Sequence, residues 1–128
     1  MKHVLSLLLF VAVAGGCAPA APRTAAIGIH YSHYSTSRIE VPAGVPVTFT
    51  ITNDDPIDHE WLVGDMAMHE RHRLGTEAVH ASRPDELTIP ARSTRTTTLT
   101  FATAMTLEYM CHLPGHEQYG MVGVLVAK

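Results

Sequence analysis

Cys111, His116 and Met121 stand at successive five-residue steps in the stretch Cys111-His112-Leu113-Pro114-Gly115-His116-Glu117-Gln118-Tyr119-Gly120-Met121. A soft thiolate, imidazole and a weak thioether are the ligands that a single copper ion prefers. Pro114, Gly115 and Gly120 bend the chain, so that ligands this close in sequence can converge on one point. A set of two histidines, one cysteine and one methionine still lacks a histidine. His59, which closes the polar run Asn53-Asp54-Asp55-Pro56-Ile57-Asp58-His59, is the best candidate. Zinc also accepts Cys and His, but Met is not among its usual ligands.

A second group stands apart from this one. Met66, Met68, His69 and His72 carry thioethers and imidazoles at helical spacing and form a possible accessory copper site. The preferred reading is plainer: a short helix whose Met side chains fill gaps against the fold, with solvated histidines. His30 and His33 lack a third ligand nearby and are read as strand or loop histidines with ordinary hydrogen bonds. His112 is given no ligand role, because His116 fits the loop better.

Short strands must position these residues. Ala25–His30 and Arg38–Val41 read as the first two. Pro42-Ala43-Gly44 is a turn, after which Val45 to Thr52 alternates with Val45, Val47, Phe49 and Ile51 on one face. His59 to Val63 starts the next strand, with Trp61 and Val63 on the face of His59. Met66 to Leu74 has good helix formers and the length for two turns. Strands resume at Glu86–Ile89, then at Thr94–Phe101, whose Thr97, Leu99 and Phe101 share a face. Met105–Cys111 leads into the ligand loop, and Met121–Ala127 closes the chain. About seven strands punctuated by Gly, Pro and Asn turns, with one short helical excursion, indicate an all-β Greek-key β-sandwich.

The His59 turn, the Cys-x4-His-x4-Met loop and the closing Gly123-Val124-Leu125-Val126 strand together resemble a cupredoxin, a blue-copper protein of the plastocyanin and azurin family. The resemblance covers nearly everything from Ala25 to Lys128. The ligand-loop spacing is more similar to auracyanin and rusticyanin than to plastocyanin. It implies a β-sandwich with one type 1 copper site at one end, held by His59, Cys111, His116 and, axially, Met121. It also implies that the loop histidine lies near the surface, in an apolar patch where a redox partner docks. His116, with Leu113, Pro114 and Tyr119 around it, is then the electron port. One departure stands out. The residue after the first His is usually Asn or Ser, whose side chain ties the two ligand loops together. Here it is Glu60, a carboxylate expected to favour the oxidised metal.

The N-terminus speaks to the compartment. Met1-Lys2-His3 precedes the ten apolar-rich residues Val4 to Val13, a short n-region and h-region too short to span a bilayer. Residues 1–16 are read as a signal peptide. Val13-Ala14-Gly15-Gly16-Cys17 resembles a bacterial lipobox, with Ala14 where the motif prefers Leu. Cys17 would then be lipidated, with 17–24 an Ala/Pro tether and 25–128 the domain. A cut near Ala18-Pro19-Ala20 is the alternative. The lipoprotein reading is preferred because an unpaired exported cysteine otherwise lacks a purpose. The chain has two cysteines, Cys17 and Cys111. With Cys17 lipidated, Cys111 is a lone thiol in an oxidising compartment, where a closed metal site would protect it.

The 128 residues fit one domain, and the mean hydropathy of +0.10 is raised by the leader. The formal net charge is −3, and removing the leader with its one cation, Lys2, makes it −4. That balance argues against nucleic acid. Two functions from different classes follow. One is a monomeric one-electron carrier for a redox partner, exported to the bacterial envelope. The other is a copper-handling protein that sequesters or delivers the metal. An enzyme is not expected: by resemblance, multicopper oxidases and nitrite reductases need further copper sites and more domains.

Overall fold

The protein is described by a computed structural model over residues 23–76 and 83–128. The leader, Cys17 and most of the tether lie outside the described residues. Among the described residues, nine strands and one helix follow in chain order: β1 (Arg23–His30), β2 (His33–Tyr34), β3 (Arg38–Val41), β4 (Val47–Asn53), β5 (His59–Gly64), α1 (Met66–Arg73), β6 (Glu86–Ile89), β7 (Thr94–Leu99), β8 (Met105–Met110) and β9 (Val122–Ala127). β1 begins at Arg23, two residues before Ala25, because Arg23 and Thr24 pair with Val47 and Thr48.

The strands form two sheets, β2-β1-β4-β7 and β3-β9-β8-β5-β6. β1 runs parallel to β4, and β3 parallel to β9; the other pairs are antiparallel. The expected all-β sandwich is therefore present. β2 is an addition, a two-residue strand paired back onto β1 through Ile29↔Tyr34 and His30↔His33. It is too short for an alternating pattern to reveal.

Burial follows the period of two. Val47, Phe49 and Ile51 of β4 are buried while Thr48, Thr50 and Thr52 are only partly so. Trp61 packs between Phe49, at 5.0 Å between ring centroids, and Tyr109, at 6.3 Å, joining the two sheets. β5 breaks the alternation, since Leu62 is buried as well as Trp61 and Val63. The reason is α1, which packs on β5 and β8 and covers the outer side of that sheet.

Helix α1 starts where Asp65 caps it, accepting a 2.7 Å hydrogen bond from the Met68 amide. Arg71, His72 and Arg73 fill its last turn, where cations complement the carbonyl ends.

Candidate metal centre

The topology brings the predicted ligands to one end of the sandwich. β5 and β8 are antiparallel neighbours, so the start of β5 lies beside the end of β8. His59 opens β5, and Cys111 directly follows Met110, the last residue of β8. The loop from Cys111 to Met121 then turns back into β9. Met110 pairs with Val122 across its base, and the Cys111 amide donates to the Met121 carbonyl at 3.1 Å. Within the loop, the His116 amide donates to Leu113 O and the Met121 amide to His116 O, each at 3.0 Å. Gly115 and Gly120 take φ of 87° and 94°, the left-handed region that glycine occupies without strain.

His59, Cys111 and His116 form a group whose ligand atoms all lie within 4.8 Å of one another. The two Nδ1 atoms are 3.2 Å apart, and His116 Nδ1 is 3.2 Å from Cys111 Sγ. His59 and Cys111 are fully buried, His116 partly. Met121 is fully buried at the far end of the loop, in the same core cluster as Cys111. Two imidazole nitrogens and one sulfur converging in a protected pocket fit copper, by the chemistry of the donor set.

The surroundings prepare these atoms to ligate. Burial raises the Cys111 thiol above its ordinary value, while the Glu60 and Leu113 amides, bonded to the sulfur, pull the other way. The Glu60 amide donates to Sγ at 3.3 Å. Burial and the neighbouring His59 lower the His116 imidazole, which is the neutral form a metal needs.

His59 is oriented from behind by a residue that spacing did not single out. Its Nε2 lies 2.9 Å from Asp55 Oδ2, so the acceptor carboxylate puts the proton on Nε2 and leaves the Nδ1 lone pair for the metal. Asp55 is itself held by the Tyr31 and Ser32 amides, each at 2.7 Å. To present those amides, Tyr31 and Ser32 adopt φ of 50° and 55°, an uncommon choice for non-glycine residues. Burial alone would raise the Asp55 carboxyl. The Ser32 and Tyr31 amides and His59 overcome it and hold the group below its ordinary value. The signal in sequence was present but ambiguous: one of three aspartates in the polar turn before His59.

Glu60 takes over the tie expected of Asn or Ser. Its backbone amide reaches the cysteine sulfur, and its Oε2 accepts from the His112 amide at 3.2 Å. The Tyr34 hydroxyl donates to its carbonyl at 2.5 Å.

The accessory group on α1 divides. Met66 is half exposed, at 51%, and so does not pack as expected. Met68 does pack: it is buried against Gly64, its Sδ 3.3 Å from Arg83 Nη2. His69 and His72, expected to be solvated, are instead covered, because α1 lays them against the start of the ligand loop. His69 is fully buried and the His72 side chain 9% exposed. Both rings stand about one ring-width from His112, with centroids 5.1 and 5.0 Å away. His33 makes the expected local hydrogen bond, to the Tyr31 carbonyl at 2.7 Å.

The chain belongs to the cupredoxin-like domain family, whose match spans residues 3–87. That span includes His59 and stops before the ligand loop. The fold is shared with solved structures over most of the chain. Auracyanin B covers 88% of this chain and 92% of its own, with a TM-score of 0.68 at 18% identity. Auracyanin A, a blue copper protein of Chloroflexus aurantiacus, covers 84% and 100%, with a TM-score of 0.65 at 24% identity. In sequence, the chain is 27% identical to the copper-resistant cuproprotein CopI of Pseudomonas aeruginosa, over 75% of this chain and 71% of that protein. It is 29% identical to CopI of Rubrivivax gelatinosus, over 74% of this chain and 59% of that protein.

Proposed function

We propose that the protein is a type 1 copper electron carrier, in which His59, Cys111 and His116 would be the strong ligands and Met121 a weak fourth. The observation that carries this reading is the convergence of two imidazole Nδ1 atoms and one thiol within 4.8 Å in a buried pocket. Copper there would supply a one-electron Cu(I)/Cu(II) couple. The residues supply the rest. Asp55 fixes the His59 ring, the Glu60 and Leu113 amides would stabilise the thiolate, and the hydrogen-bonded loop would keep the ligand side chains in place. Little then has to reorganise as an electron enters or leaves.

A redox protein is the proposed partner, docking where His116, Leu113, Pro114 and Tyr119 meet solvent. Tyr119 is 70% exposed and His116 partly so, which supports that face. We place the protein outside the cytoplasm, by the leader at residues 1–16, with Cys17 as its lipid anchor, and regard it as a monomer without enzymatic activity.

The second reading, copper handling, is favoured by a different observation: the relatives at 27% and 29% identity are copper-resistant cuproproteins by name. One ion retained against a chelator supports the carrier. Further ions that exchange readily support handling.

The test of the site is the visible spectrum of the protein after one equivalent of Cu(II), beside Cys111→Ser. An intense thiolate-to-copper charge-transfer band, lost in the variant, is the expected result. Copper bound without such a band would move the metal to other histidines and overturn the type 1 assignment.

A further inference from the structure

We infer that His69, His72 and His112 form a second metal site, for a divalent ion that prefers imidazole, built on the far side of the ligand loop from the first. Met66 and Met68 take no part in it.

Hydrogen-bond accounting carries the inference. His69 Nδ1 and His112 Nε2 face each other at 2.9 Å. His69 Nε2 lies 3.3 Å from the Glu108 carbonyl, which only accepts, so the His69 proton belongs on Nε2. His112 Nδ1 lies 3.1 Å from Glu117 Oε2, again an acceptor, so the His112 proton belongs on Nδ1. Arg73 donates to both Glu117 oxygens, at 2.9 and 2.7 Å, which fixes the carboxylate as an acceptor towards His112. The two facing nitrogens are therefore both lone pairs, with no proton left between them. Both rings are buried, His69 fully and the His112 side chain to 4% exposure, which shuts the facing nitrogens off from solvent. A bound cation resolves the arrangement.

The geometry repeats that of the first centre. His59 and His116 face each other at 3.2 Å between nitrogens and 4.9 Å between centroids, with rings inclined at 44°. For His69 and His112 the values are 2.9 Å, 5.1 Å and 53°. In both pairs the outward nitrogen of a ring is anchored on an oxygen, the usual support of a metal-binding histidine. His72, one turn after His69 on α1, brings a third ring 5.0 Å from His112. Its Nε2 is 3.8 Å from Glu60 Oε2 and its Nδ1 3.8 Å from Glu86 Oε1, so two carboxylates flank that ring. Three imidazoles with carboxylates and no sulfur select Cu(II) or Zn(II) over Cu(I). Because His112 is bonded to Cys111, one peptide unit separates the two centres. The inference does not depend on the carrier reading of the first.

The test is titration of the full chain with Cu(II), followed by electron paramagnetic resonance and by absorption. A second equivalent is expected, with nitrogen hyperfine splitting distinct from the thiolate-bound ion. In His69→Leu and in His72→Ala its affinity should fall at least tenfold. A retained thiolate band shows that each variant is folded. Stoichiometry stopping at one overturns the site, as does a second equivalent whose affinity neither variant changes. Should a variant fail to fold, imidazole 15N shifts of the wild type during Zn(II) titration decide. Movement at His69 Nδ1 and His112 Nε2 supports the site, and movement confined to other histidines overturns it. Absence of the thiolate band with the second signal intact would sink the type 1 reading alone.

Discussion

At the residue scale, two carboxylates, Asp55 and Glu60, support the candidate ligands. Asp55 couples His59 to a backbone turn whose left-handed residues exist to hold it. In the copper-loaded protein, Asp55→Asn should weaken copper binding by about 10- to 100-fold, the range for loss of an outer partner of a ligand histidine. It should also raise the reduction potential, because the neutral amide supports Cu(II) less than a carboxylate does. Chelator competition and voltammetry check both, and unchanged values would refute the role. Glu60 combines a charge with a tie to the His112 amide. Glu60→Gln keeps an acceptor and removes the charge, so it should raise the potential with little loss of copper. Glu60→Ala removes the tie too and should speed copper release. Equal potentials in wild type and Glu60→Gln would exclude an electrostatic role. The candidate ligands were legible in the sequence because their types are scarce and their spacing regular. Asp55 was not, because an aspartate in a polar turn is ordinary until its partner is seen.

At the element scale, β8 and β9 bracket the ligand loop, and one close contact sets their fit. Tyr109 is fully buried and sits opposite Gly123, where an added Cβ would lie 2.1 Å from the tyrosine ring. The phenol also donates to the Thr36 carbonyl at 2.5 Å, so the ring cannot swing away without losing that bond. Gly123→Ala should therefore destabilise the protein by about 1–3 kcal/mol, the range for overpacking a core. Denaturant unfolding checks it, and an unchanged midpoint would mean the strands separate at little cost. The alternation of β4 was readable because one of its faces is buried and the other is not. The helix was readable within one residue of its end, Arg73 against Leu74, from its composition. Which of its faces is covered was not legible. Histidines at i and i+3 look solvated on a polar helix, and only packing on β5 and β8 reveals that they are covered.

At the scale of the whole molecule, the sandwich is closed at the end of the chain by charge as well as by pairing. Glu40 on β3 bonds to Lys128 and to Arg38, the latter at 3.0 Å, and these partners, Lys128 first, hold its carboxyl below the ordinary value of 4.5. A folded-state value below the unfolded one gives stability that is present above about pH 4.5 and is lost as pH falls through the folded value. Glu40→Gln should lower the melting temperature slightly at neutral pH. The difference should fade at low pH and in roughly 1 M salt, where the screening length is about 3 Å. A difference that persists in acid would point to packing instead. By itself, the sequence determined the strand pattern, the sandwich class and the four candidate ligands, since these rest on local period, turn chemistry and scarce residue types. Tertiary structure decided what is made by distant segments meeting. Asp55 reaches His59 only because two left-handed residues after β1 cradle it. His69 and His72 meet His112 only because α1 folds over the sheet, 43 residues of chain separating His69 from His112. Such contacts leave no periodic trace, because they depend on where elements pack and not on how each one forms.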